Sequence, residues 1–237
     1  MVKLGVNLDH VATLRQQRHT QYPSMLDAIK MVEESGADSI TMHLREDRRH
    51  IQYEDIELAR ENIKTFLNLE MAPTDEMCDI AIKVKPDYVC LVPEKREELT
   101  TEGGLDIKSN NSKIRSVIDS LKKNNIVVSL FIEPDIQTID IAKSIDTDAI
   151  EIHTGRYAEN HDAEKYFELQ KIKDAIEYGN NLSLVVNAGH GLDYNNVTEV
   201  ALIPSLNELN IGHSIVSESV FIGLGSAVKK MKELINK

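Results

Sequence analysis

Histidine changes its charge between about pH 5 and 8, so histidines gathered beside carboxylates suit repeated proton transfer near neutrality. Of the eight histidines in this 237-residue chain, His10, His43, His153, His190 and His213 follow directly on short β-branched or apolar runs, with His50 a few residues beyond His43. Only His19 and His161 fall elsewhere. The same positions carry Asn7, Asp9, Arg45, Glu70, Glu151 and Asn187. Glu70 ends the apolar run FLNLE with no evident charged neighbour, so burial there is expected to raise its affinity for a proton toward that of a general base. His153 and Glu133 are read as groups that hydrogen-bond at a strand end for structural reasons.

Anion chemistry is written in two further patterns. Asn187-Ala188-Gly189-His190-Gly191 and Asn210-Ile211-Gly212-His213-Ser214 place glycines where backbone N–H groups can approach a phosphate, ahead of a helix start whose dipole favours negative charge. The string HLREDRRH puts Arg45, Arg48 and Arg49 next to one strand end. Arginine forks grip phosphate bidentately, but Glu46 and Asp47 compete for them, so Arg45 and His50 alone are assigned to substrate. Arg15 and Arg18 follow the first strand and are expected at the same mouth. The longest loop, Pro93 to about Asn111, is expected to act as a lid.

Such groups need a scaffold that brings many strand ends to one place. The chain repeats one order about eight times: a short apolar run, a polar cluster, then a stretch with helical spacing. The runs are Leu4–Leu8, Ser39–Met42, Phe66–Leu69, Tyr88–Val92, Val127–Ile132, Ala149–Ile152, Leu182–Val186 and Glu208–Ile211. Helix ends are marked by Ser35-Gly36 and Tyr178-Gly179, a helix start by Thr74 with Asp75 and Glu76, and SESVFIGLGSAVKKMKELIN closes the chain. This alternation predicts an α/β protein over residues 1–237, one (β/α)8 TIM barrel with a few extra short helices, whose chemistry lies at the strand C-termini. An open doubly wound sheet is the weaker alternative.

A formal net charge of −12 disfavours nucleic acid and anionic membrane as partners, since both demand a basic face. Cys78 and Cys90 lack paired or metal-type spacing and are expected as buried, reduced thiols. Polar Asn7, Asp9 and His10 interrupt the first apolar stretch and no run is long enough to span a bilayer, so a cytoplasmic location is expected.

The strings VNLDHVATLR (6–15), HLREDRRH (43–50), NLEMA (68–72), LVPEKREELTTEGGLD (91–106), IEIHTG (150–155), VNAGHGL (186–192) and ELNIGH (208–213) closely resemble the pyridoxine 5′-phosphate synthase family, over nearly the whole chain. The resemblance implies a transferase of vitamin B6 biosynthesis that condenses 1-deoxy-D-xylulose 5-phosphate with 3-amino-2-oxopropyl phosphate. The products would be pyridoxine 5′-phosphate, phosphate and water, with neither a metal nor an organic cofactor. Position by position it makes His43 and Glu70 proton acceptors, His190 a proton donor, and Glu151 the group that stabilises developing charge. It assigns Asp9, His10, Arg45, His50 and Thr100 to the deoxyxylulose phosphate. Asn7, Arg18, Gly191, Gly212 and His213 go to the amino-ketone phosphate. It also implies a homo-octamer. The IEPD segment after strand five departs from the pattern at Glu133 and Pro134, and no function is attached to it.

Two other classes fit part of the residue set. A metal-dependent aldolase or epimerase could use His43, Glu70 and His190 as ligands. A phosphate-ligand binding protein would need only the glycine turns and arginines.

Overall fold

The computed structural model describes residues 1–93 and 103–237. Eight parallel strands, β1 (Lys3–Asn7), β2 (Ser39–His43), β3 (Phe66–Met71), β4 (Tyr88–Leu91), β5 (Val127–Ile132), β6 (Ala149–His153), β7 (Val185–Gly189) and β8 (Glu208–Ile211), pair in sequence order. The last returns to the first through Leu4 opposite Leu209, so the sheet closes and the open alternative is excluded.

The wall helices are α2 (Met25–Glu34), α3 (Tyr53–Asn62), α4 (Asp75–Val84), α5 (Asn111–Lys123), α6 (Ile136–Ser144), α8 (Asp162–Asn181), α9 (Val197–Ala201) and α11 (Leu224–Ile235). Extra helices α1 (Asp9–Gln16), α7 (Gly155–Glu159) and α10 (His213–Ile222) begin within two residues of the ends of β1, β6 and β8. Starts follow the expected chemistry, as where Thr74 accepts the Met77 N–H at 3.3 Å. No helix among the described residues is long and apolar enough to cross a membrane. Cys78 and Cys90 are both buried.

The main hydrophobic core lies between strands and helices: Leu4, Val6, Ile40, Met42, Leu67 and Leu69 are buried there. The alternate positions face inward and are largely polar. Thr41 donates to Asn210 Oδ1 at 3.1 Å, Asn68 to Thr41 at 3.2 Å, and Asn210 to Glu151 Oε2 at 2.6 Å. Strands β2 and β8 are not neighbours, nor are β8 and β6, so the first and last of these bonds cross the barrel interior, while Asn68–Thr41 joins paired strands.

Three boundaries differ from the sequence reading. Tyr178-Gly179 does not end a helix, because α8 runs on to Asn181. Gly179 is instead a close-approach position: a Cβ there would stand 2.8 Å from Val186 Cγ2 and 3.1 Å from Ile150 Cδ1. Strand β7 therefore starts later than expected, at Val185. The closing segment is two helices, since Gly223 at φ +82° turns the chain between α10 and α11.

Gly179→Ala weighs a helix-propensity gain of about 1 kcal/mol against overpacking of about 1–3 kcal/mol. We expect overpacking to win and the thermal midpoint to fall by several degrees. An unchanged or raised midpoint would mean that Val186 yields without cost.

Candidate active site

Residues at the ends of β1, β2 and β3 form one pole of the site. Asn7, the last residue of β1, donates to Asp9 Oδ2 at 3.0 Å and accepts the Asp9 N–H at 2.8 Å. The buried Asp9, in the first turn of α1, accepts the His43 backbone N–H at 2.8 Å, which ties β1 to β2. His43 pairs in register with Glu70 on β3, and its Nδ1 lies 3.9 Å from Glu70 Oε2. Potential ligand atoms of Asp9, His43 and Glu70 all fall within 4.8 Å of one another. Glu70 is thus not the isolated carboxyl that its flanking sequence suggests; the neighbour comes from the adjacent strand.

His50 is buried and its ring centroid is 6.1 Å from that of His43. Its Nδ1 accepts the Ile51 N–H at 2.9 Å, which places the neutral ring's proton on Nε2. Arg45 is buried with Nε 3.3 Å from Asp47 Oδ1. Asp47 also holds Arg49 at 2.6 Å, and Arg48 pairs with Glu76 at 2.9 Å. Burial opposes the Asp47 charge, yet hydrogen bonds from Arg49 and Arg45 keep that carboxyl far below the usual range. Arg45 therefore shares Asp47 with Arg49, so the acids of this loop engage the arginine assigned to substrate as well as the others.

Arg15 is turned to Asp55 and to the His50 carbonyl. Both of its terminal nitrogens bind Asp55, at 2.6 and 2.7 Å, and the acid partner 40 residues on was invisible to local reading. Arg18 is exposed in the turn after α1. Thr100 and the segment 94–102, with most of the charge and both threonines of the proposed lid, lie outside the described residues.

The ends of β6, β7 and β8 form the opposite pole. His190 and Gly191 both adopt positive φ, +79° and +78°. Thr154 fixes this turn by donating to the carbonyls of Gly189 and His190 at 2.8 and 2.6 Å. Glu151 is buried and accepts from Asn210. Gly212 caps α10, and a Cβ on it would lie 2.9 Å from Asn7 Cβ, so the β8 turn packs directly on the end of β1. No side chain caps α10, which leaves its first-turn N–H groups for an anion. His213 opens that helix with its ring 4.7 Å from His10, edge to face. Ser214 donates to Leu192 O at 2.8 Å and joins the two glycine turns.

Sequence reading missed Thr154, Thr41, Asn68 and Phe131, and named Asn210 only as part of the second glycine turn. Thr154 stands next to His153 in IEIHTG, which was a usable signal; the inward asparagines and Thr41 looked like interruptions of apolar runs.

A closed parallel barrel with acids, histidines and glycine turns all at the C-terminal ends of its strands is the architecture of a TIM-barrel enzyme. The family model described as "Pyridoxal phosphate biosynthesis protein PdxJ" matches residues 4–237, and the chain belongs to that family. It is 56% identical over 235 residues to a pyridoxine 5′-phosphate synthase of Prochlorococcus marinus, covering 99% of each chain. A pyridoxine 5′-phosphate synthase of Syntrophotalea carbinolica is 53% identical over 236 residues, again with 99% of each covered. Among solved structures, KGPDC from Streptococcus mutans superposes with a TM-score of 0.68 at 12% identity, over 100% of this chain and 98% of that one. N-(5′-phosphoribosyl)anthranilate isomerase from Pyrococcus furiosus gives 0.67 at 14% identity, over 100% and 99%. At such identities the likeness is one of fold alone.

Proposed function

We propose that this chain, as one catalytic barrel over residues 1–237, condenses 1-deoxy-D-xylulose 5-phosphate with 3-amino-2-oxopropyl phosphate. The products are pyridoxine 5′-phosphate, inorganic phosphate and water. The observation that carries the reading is the placement of two acid–base poles, His43 with Glu70 and His190 with Glu151, at the same end of one barrel. Imine formation, phosphate elimination, aldol closure and dehydration each move protons, and two poles let acceptance and donation proceed on different sides of a growing ring.

In this scheme His43 and Glu70 accept protons and His190 donates them. Glu151, held by Asn210, stabilises the cationic intermediate. Arg45 and the Nε2–H of His50 grip the deoxyxylulose phosphate beside Asp9 and His10, with Thr100 completing that subsite. Gly191, Gly212 and His213 present the uncapped start of α10 to the amino-ketone phosphate, with Asn7 and Arg18 at its edge. The working form is a cytoplasmic homo-octamer that acts without a metal.

The cluster of Asp9, His43 and Glu70 favours a second reading, since one His and two carboxylates at this spacing suit a divalent cation. The set differs from the one drawn from sequence, with Asp9 in place of His190. Purified protein, both substrates and EDTA separate the readings. The synthase yields phosphate and the pyridoxine phosphate chromophore in equal amounts despite the chelator. Phosphate without chromophore would indicate a phosphate-eliminating lyase, and chelator-sensitive turnover a metal enzyme.

A further inference from the structure

Beside His190 stand two groups to which the proposed reaction gives no role. His153 on β6 is 2% exposed, and its Nδ1 lies 2.8 Å from Glu133 Oε1, just past the end of β5. The same carboxylate oxygen accepts the Gly104 N–H at 2.9 Å. Desolvation works against the charge of Glu133, but His153, the Gly104 N–H and Arg156 together hold its carboxyl below the ordinary glutamate range. An ionised carboxylate can only accept hydrogen bonds, so the proton between the two belongs to His153 Nδ1. In the neutral ring Nε2 is then left as an acceptor.

That Nε2 is buried and has no hydrogen-bond partner among the described residues. Leaving a buried polar atom unsatisfied is costly, so such an atom next to a proton-transfer group calls for a use. The His190 ring lies 5.1 Å from that of His153, centroid to centroid, at an angle of 57°. Phe131 packs beside both, at 5.1 and 6.2 Å, and keeps the cluster apolar around its polar edges. Among the described residues, the charges nearest this cluster are Glu133 after β5, Arg156 from α7 with Nε 3.7 Å from Glu133 Oε2, and Glu151 from β6, whose Oε1 lies against Gly189.

We propose that Glu133 and His153 are a positioning pair for His190: the carboxylate orients His153, and His153 Nε2, unpartnered among the described residues, is the acceptor to which the His190 ring turns and donates in its charged, proton-donating form. No proton leaves the pair. His153 keeps its Nδ1 proton, and the negative charge of Glu133 favours imidazolium at His190 through the intervening ring. The inference rests on the reading of His190 as a proton donor, and it gives a use to the IEPD segment that sequence reading left unassigned.

The test follows the ring titration of His190 by NMR in protein labelled at histidine Cε1, with that resonance identified through His190→Gln. Glu133→Gln keeps the shape and the Gly104 contact but removes the charge. His153→Phe keeps the ring volume but removes both nitrogens. In each, the titration midpoint of His190 is expected to fall by about half a pH unit or more, while those of His10, His43 and His213 stay in place. An unchanged His190 midpoint in the folded variants, or an equal shift of all histidines, overturns the proposal. Failure of both variants to fold would make the pair a structural prop and overturn it equally. None of these readings depends on turnover, so absence of product from the parent protein would sink the proposed function without deciding this one.

Discussion

Glu70→Gln is expected to lower kcat by about 100-fold or more, the usual scale for a lost general base, with the fold intact. The side chain ends β3 beside His43 Nδ1 at 3.9 Å, so the amide keeps its volume but can neither take a proton nor favour a charged His43. His43→Ala is expected to cost at least as much, since it removes the other half of the pair. The two losses should be far from additive if the residues act as one unit, and a double variant close to either single one would show this. Steady-state kinetics with circular dichroism as a folding control decides the matter. Near-normal kcat in both single variants would take this pole out of the mechanism.

Asp55→Ala carries the largest expected effect on stability, about 3–5 kcal/mol, because it strands a buried guanidinium. Arg15 and Asp55 are 13% and 7% exposed at their side chains, so solvent screens them little. The hydrogen bonds that Arg15 donates to Asp55, ahead of a smaller opposing desolvation, raise the Arg15 pKa above its ordinary value. Without Asp55 that shift is gone, yet a guanidinium is basic enough by itself to stay charged, so deprotonation offers no escape from the lost partner. Asp55 Oδ2 also accepts the Gln52 N–H at 2.8 Å, half of the capping box that starts α3, so the same change frays a helix. Urea unfolding of the variant beside the parent measures the loss. A difference below about 1 kcal/mol would mean that water reaches Arg15 and the pair behaves as a surface one.

The barrel was legible because its signal is periodic and repeated: alternating strand and helix lengths need no knowledge of which distant residues meet. The rim histidines were legible for a related reason, since strand C-termini converge in any closed barrel and position along the chain stands in for position in space. Pairings were not legible. Nothing around Arg15 announces Asp55, and nothing around Glu70 announces His43; both depend on register between segments far apart in the chain. Gly179 was misread because a glycine near an expected helix end fits a C-cap as well as a close helix–strand contact, and only the neighbouring Val186 and Ile150 distinguish them. Asn68 and Asn210 were given no role in the barrel interior because their partners, Thr41 and Glu151, lie on other strands.

That hydrogen-bonded interior restricts how the chain can drift over generations. Thr41 serves Asn210 and Asn68, and Asn210 in turn steadies Glu151, so any single exchange to an apolar residue orphans a buried donor or acceptor on another strand. A lineage can cross from this arrangement to a different one only by changing several of these positions nearly together. The interior therefore acts as one block that fixes the posture of Glu151.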